Sequence, residues 1–239
     1  MPTYTLRRAL GGLSILLLFA VHTHAVNMIT NYPSWDGSTH AGNFGPPPGT
    51  PTFGQTFRAD VAQSVDGMSA PILESFRFMV QNLTPGTGSN GQITMNAYLY
   101  QWNGTSIVGS SLALPWVFSV NSGSGYQNVG VSFGPVTLTP GLDYIVFWTT
   151  LGNDAYNTNH QAANFGALTN DTVAHSSFFY NDGTTFSDLF APWSASTSLA
   201  ELAFQAQFRT VALPDTGSAL VLLLLGSLIV FALKLRLAT

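Results

Sequence analysis

The sequence predicts an all-β fold, a β-sandwich of jelly-roll type, and three observations predict it. Short runs of alternating apolar and polar residues recur along the middle of the chain, each bounded by Gly, Pro, Asn or Asp; a period of two marks a strand buried on one face. Charged residues make up only 8% of the 239 residues, so the Lys, Glu and Arg that favour helices are scarce. Aromatics at 13% supply apolar area to bury, which separates the chain from disordered ones.

Residues 1–25 read as a secretory signal peptide: Arg7 and Arg8 form its basic region, Leu16, Leu17, Leu18 and Phe19 centre its apolar stretch, and Thr23-His24-Ala25 ends it. Small residues there place the cut between Ala25 and Val26. Residues 26–210 then form one domain, with no internal repeat and no linker to divide it. Residues 27–51 read as an extended, irregular entry, because Pro46, Pro47 and Pro48 cannot donate ladder hydrogen bonds.

Strands are expected at 53–58, 74–80, 93–102, 116–120, 128–133, 142–149, 176–180 and 202–209. In 74–80 the alternation puts Phe76, Phe78 and Val80 on one face; in 202–209 it puts Leu202, Phe204, Ala206 and Phe208 inward. Asn103-Gly104 closes the 93–102 run with a strong hairpin signal. The run 142–149 is apolar almost throughout, as in a central strand buried on both faces. Residues 153–171 read as a long polar loop.

The C-terminal segment, 211–239, begins with Leu213-Pro214-Asp215-Thr216-Gly217, continues as an uncharged apolar run over 218–233 and ends in a basic tail, 234–239, with Lys234 and Arg236. The apolar run is at the short end for a membrane-spanning helix. Basic residues beyond it put that end in the cytoplasm and the domain outside, in agreement with the N-terminal signal. The membrane is therefore an expected partner, and such a marginal helix suits a temporary anchor.

Several chemistries are weighed and set aside. Between the terminal segments Arg58, Arg77 and Arg209 face ten carboxylates, eleven with Asp215 of the C-terminal segment, a balance that repels phosphate backbones and excludes nucleic acid as a partner. No Cys is present, which removes disulfides and thiolate chemistry. The pattern GxGxxG at 86–91 precedes a strand where dinucleotide binding needs a helix, so it reads as a hairpin loop. No GxSxG occurs, and Glu74 and Glu201 are the only glutamates. No cofactor is expected. Asp143, Asp154, Asp171, Asp182 and Asp188 offer oxygen ligands for a structural calcium ion, yet without EF-hand spacing, and turn-forming aspartate is the simpler role.

One strand is chemically suggestive. In 93–102, Ile93, Met95, Ala97 and Leu99 share one face, and Tyr98, Tyr100 and Trp102 line the other. A row of flat rings with polar neighbours is a candidate stacking surface for sugar rings. The competing expectation, which we favour, is that these rings fill the sandwich core while the aliphatic side meets a loop.

The C-terminal segment resembles the sorting signals read by exosortases, the PEP-CTERM class and its Val-Pro-Asp-Ser-Gly variants, with Leu213 for Val and Thr216 for Ser. The same five residues also match LPxTG, the sortase signature, in which the Thr216–Gly217 bond would be cut. Only Thr210 to Ala212 separate Arg209 from the signature, which favours the exosortase-like assignment over one that needs a long wall spacer. The domain itself resembles the choice-of-anchor surface proteins, through Asn31-Tyr32-Pro33-Ser34-Trp35-Asp36-Gly37, Phe53-Gly54-Gln55-Thr56-Phe57, the 97–104 stretch and Leu138-Thr139-Pro140-Gly141-Leu142-Asp143-Tyr144. The resemblance implies a bacterial protein, placement at the surface and a β-rich fold, with no activity carried over.

The expected function is thus that of an exported, non-enzymatic cell-surface or extracellular-matrix protein, sorted by an exosortase- or sortase-like processing enzyme. A surface carbohydrate-binding module, with extracellular polysaccharide as its partner, is the alternative. An extracellular glycan-active enzyme is the third.

Overall fold

Alternating burial marks some of the strands that build the two sheets, most plainly residues 71–82, while others are buried on both faces. In the computed structural model, which describes residues 26–46, 49–60, 70–83, 91–123, 125–153 and 162–210, the strands are β1 (Val26–Thr30), β2 (His40–Phe44), β3 (Thr52–Arg58), β4 (Pro71–Asn82), β5 (Gln92–Trp102), β6 (Ile107–Val108) and β7 (Trp116–Asn121). They continue with β8 (Gln127–Thr137), β9 (Asp143–Thr149), β10 (Ala163–Leu168), β11 (Phe178–Asn181), β12 (Ser194–Ala195), β13 (Glu201–Leu202) and β14 (Phe204–Thr210). The only helical pieces among the described residues are short 3₁₀ turns, including Tyr32–Ser34 and Phe186–Phe190.

The first sheet runs β1-β14-β4-β10-β13, with β8 on β4 and β2 on β10; the second runs β12-β11-β3-β9-β5-β6, with β7 on β5. The paired strands are antiparallel. From β3 onward the chain crosses repeatedly between the sheets. Their inner faces meet in one aromatic-rich core: Phe78 of the first sheet packs edge-on against Trp148 of the second at 4.9 Å, and Phe57 meets Phe208 at 6.0 Å. Each buried Phe contributes about 1.5–3 kcal/mol of burial free energy.

The all-β expectation holds, and so does the central strand. Tyr144, Val146 and Trp148 of β9 enter the main core, while Ile145 and Phe147 enter a second, smaller cluster on the outer face of the same sheet. Strand β9 lies between β3 and β5, covered on both sides, which is why its sequence shows no alternation.

Two expectations are corrected. The entry read as irregular holds β1 and β2, since Val26–Thr30 pairs with β14 from Val26↔Arg209 to Thr30↔Gln205 ahead of the prolines. The polar loop read over 153–171 contains β10, whose Ala163, Phe165, Ala167 and Leu168 are buried. A strand bordered by long polar segments is masked in any window average. The alternation in 128–133 belongs to a longer strand, β8, and the strand expected at 176–180 starts at Phe178.

Buried polar groups pin the ends together. Glu201, fully buried, accepts five hydrogen bonds: from Asn31 Nδ2, from the N–H and Oγ1 of Thr172, from Val173 N–H and from Ser176 Oγ. Asn31 also donates to the Leu202 carbonyl at 2.7 Å and accepts from Phe204 N–H at 2.7 Å. Gln55 of the second sheet accepts from Leu202 N–H at 2.7 Å, joining the layers.

Candidate functional site

The outer face of the second sheet carries the aromatic cluster. Period-two geometry sends Ile93, Met95, Ala97 and Leu99 of β5 into the core between the sheets and Tyr98, Tyr100 and Trp102 to the opposite side. The favoured expectation, rings in the sandwich core and aliphatics against a loop, is therefore inverted.

The rings are nevertheless not a bare row, which corrects the stacking surface drawn from the sequence. Tyr100 is 5% exposed and Trp102 6%, while Tyr98 is half-buried. The segment after β11 folds back over them. Phe190 meets Tyr100 edge-on at 6.0 Å, Phe186 meets Tyr98 at 5.0 Å, Trp193 meets Trp102 at 5.9 Å, and Phe179 meets Trp102 at 4.8 Å. Beneath them Phe147 of β9 stacks on Tyr98 and Tyr100 at 5.2 and 5.8 Å.

Hydrogen bonds hold this cover. Trp193 donates its indole N–H to the Leu189 carbonyl at 2.7 Å, and its backbone N–H to the Thr105 carbonyl at 2.8 Å, in the β5–β6 turn. Asp188 Oδ2 accepts the backbone N–H groups of Thr184 and Thr185 at 2.9 and 2.8 Å. Those bonds, the Thr185 backbone first, hold its carboxyl below the usual carboxylate range. Gly54 makes room for the lid: a Cβ there would sit 2.9 Å from the Trp193 ring and 2.8 Å from Ile145. Burial pushes the Tyr98 and Tyr100 phenols up, with a smaller push on Tyr98 from Tyr100.

What remains open on this face is the outer side of the lid. Phe190 is 45% exposed, Phe186 is also exposed, and Tyr98 is partly so. Sequence reasoning named Tyr98 but neither phenylalanine. The signal that marks them is Thr185 followed at three residues by Asp188, a turn-starting pattern that presents Phe186 and Phe190 together.

The other candidates have local roles. Arg58 holds Asp143 in a two-pronged ion pair at 2.7 and 2.9 Å, and this raises the pKa of the guanidinium. Asp188 is spent on its own turn, and Asp154 lies outside the described residues. Among the described residues no three His, Asp or Glu side chains gather around one point. Glu74 pairs with Arg209 and Glu201 is buried under its five donors. A cleft of about 430 Å³ between Ser34, Asp36, Thr39, Asn170 and Thr172 has Asp36 as its one carboxylate. Asp36 accepts from Ser38 N–H and from the N–H and Oγ1 of Thr39, which depresses its pKa far below normal.

Val26 opens β1, whereas Ala25, the sorting residues Leu213, Pro214, Asp215, Thr216 and Gly217, the apolar run 218–233 and the tail 234–239 lie outside the described residues. Among the described residues no helix is long and apolar enough to cross a membrane.

No protein-family model matches this chain, and no curated protein does. Among solved structures, the chain is similar to the cysteine protease and lectin-like domains of Cwp84, a surface layer associated protein of Clostridium difficile, at 15% identity and a TM-score of 0.41, over 68% of this chain and 32% of that one. It is also similar to a variant of the clostridial cysteine protease Cwp84 after propeptide cleavage, at 16% identity and a TM-score of 0.46, over 78% of this chain and 40% of that one. The chain therefore corresponds to less than half the length of either.

Proposed function

We propose that this chain is an exported, non-enzymatic surface or matrix protein, displayed outside the membrane and processed at its C-terminal signature. One observation carries the reading: the paired strands run from Val26 in β1 to Thr210 in β14, and β1 and β14 lie side by side. The proposed cut after Ala25 leaves the first strand whole, and the signature at 213–217 follows the last strand by three residues, so neither event touches the folded body. The strand order is read as a jelly roll. The apolar run 218–233 is assigned as a transient membrane helix and the signature as the substrate of an exosortase-like enzyme, with a sortase as the other assignment.

Replacing Pro214, Asp215, Thr216 and Gly217 by Ala tests it. The altered chain is expected to stay membrane-bound at higher mass, whereas unchanged size and location overturn the processing step.

A second reading, carbohydrate binding, is favoured by the exposed Phe186 and Phe190 beside Tyr98. Exposed ring faces held in place are what sugar stacking needs, and the Phe186–Phe190 turn holds two of them over the sheet. A glycan array probed with the chain and with its Phe186→Ala/Phe190→Ala variant decides it: signal lost in the variant supports it, and no signal from either contradicts it.

A further inference from the structure

We infer that β7 is a self-association edge, through which a second copy of this chain extends the second sheet. Strand β7 pairs with β5 from Ala97↔Trp116 to Gln92↔Asn121, and among the described strands none lies on its other side. The Asn121 carbonyl at its end accepts from Gln127 Nε2 at 3.2 Å, and the edge groups before it form a template for one more strand.

The side chains at this edge are dressed for contact. Leu114 is 88% exposed, Val117 61% and Trp116 48%, and Leu112 is exposed beside them. These four lie within six residues of sequence, on a rigid strand and the segment leading into it, where scattered exposure would be ordinary.

Charge selects the occupant. No Asp, Glu, Lys, Arg or His occurs between Arg77 and Asp143, a stretch that includes β5, β6, β7 and β8. The body from Val26 to Thr210 otherwise sets ten carboxylates against three arginines, so two copies repel through most orientations. Approach through β7 brings together strands with no charge of their own to desolvate or oppose. A basic partner gains nothing at this edge, while an identical copy meets its own neutral apolar strip.

Most other edges carry devices against such pairing, whereas β7, like the edge strand β1, does not. Strands β6, β12 and β13 are two residues long. Strand β8 contains Pro135 and a left-handed Gly134, and its register on β4 shifts between Leu73 and Ser75. Strand β7 contains no proline, no charge and no register shift.

Symmetry then sets the register. Directly opposed residues of an antiparallel pair share a face, and a twofold axis normal to the sheet preserves each face, so opposed residues must have the same parity. Phe118 then sits opposite Phe118 of the second copy, Trp116 opposite Val120 and Val117 opposite Ser119, or the pairing slips by two residues.

The chain has no native Cys, so single introduced thiols report this geometry without background. The full chain is purified in detergent as Val117→Cys, as Ser119→Cys and as Asn170→Cys, all at exposed positions, with Asn170 away from β7. Each is treated with a short bismaleimide below the concentration at which the Asn170 control cross-links. The Val117→Cys and Ser119→Cys proteins, mixed, are expected to give covalent dimer at least tenfold above the control. Trp116→Lys added to both should abolish it while leaving the circular dichroism spectrum unchanged. Equal yields from all three positions, or dimer that survives Trp116→Lys, overturn the proposal. Glycan-dependent binding without dimer overturns it as well and assigns this strip to the sugar instead.

Discussion

Tyr98 stacks on Phe147 with ring centroids 5.2 Å apart and planes 20° apart, on the face of the second sheet that points away from the main core. A sandwich usually shows solvent a polar outer face. Here β5 and β9 supply an aromatic layer, and the Phe186–Phe190 turn with Trp193 covers part of it. Four predictions concern this cover and the polar pins behind it.

Phe190→Ala is expected to uncover Tyr100. Burial raises the Tyr100 phenol in the folded chain, so its contribution to stability is complete below the ordinary tyrosine pKa of about 10 and is lost as pH rises through the folded value. In the variant the phenol should titrate closer to 10, and the alkaline loss of stability should shrink. Absorbance titration of phenolate formation, with thermal melts at pH 9 to 12, reads both. An unchanged titration would mean that Phe190 does not shield the ring.

Gly54→Ala should displace Trp193, because the added methyl would come within 2.9 Å of the indole and 2.8 Å of Ile145. Overpacking of this kind costs about 1–3 kcal/mol. The expected readout is a red-shifted tryptophan emission with a lower denaturant midpoint, and a variant as stable as the parent would show that the lid shifts without cost.

Glu201→Ala removes the acceptor of five hydrogen bonds: the buried Ser176 hydroxyl and the half-buried Val173 N–H lose that partner, Asn31 Nδ2 keeps only its bond to the Leu202 carbonyl, and the exposed Thr172 turns to solvent. The loss should be on the order of 3 kcal/mol or more, given about 1–3 kcal/mol for each group left unsatisfied. Hydrogen exchange should speed up at Thr172 and Val173 before it does in β9. Uniform acceleration would place the role of Glu201 elsewhere.

Acid should loosen the lid before the core. Asp188 has a depressed pKa, caused first by the Thr185 backbone N–H, so its stabilising effect is present above the unfolded carboxylate value of about 3.9 and fades as pH falls through the lower folded value. Amide exchange at Thr184 and Thr185 is therefore expected to rise below pH 4 in the parent and to be high at every pH in Asp188→Ala. Protection in that variant equal to the parent's at pH 7 would exclude the Asp188 cap.

Much of the sandwich was legible because its strands alternate under one buried face. Phe76, Phe78 and Val80, and later Phe204, Ala206 and Phe208, face inward as their spacing requires. Strand β10 was hidden since Ala163, Gly166 and Ala167 carry little hydrophobicity to mark it, and Gly166 is small because Trp35 lies over it at 2.9 Å from where a Cβ would be. At the candidate site the parity of Tyr98, Tyr100 and Trp102 was readable from β5. Their cover was not, because Phe179, Phe186, Phe190 and Trp193 arrive from 77 to 91 residues later and no local pattern records that contact.

The central claim, export followed by processing at both ends of one folded body, is tested most directly by the intact mass of the chain recovered from the cell surface or medium. A species beginning at Val26 and ending within the signature 213–217 is the predicted result. A surface species that retains residues 1–25 and 218–239, or a full-length chain confined to the cytoplasm, would contradict it.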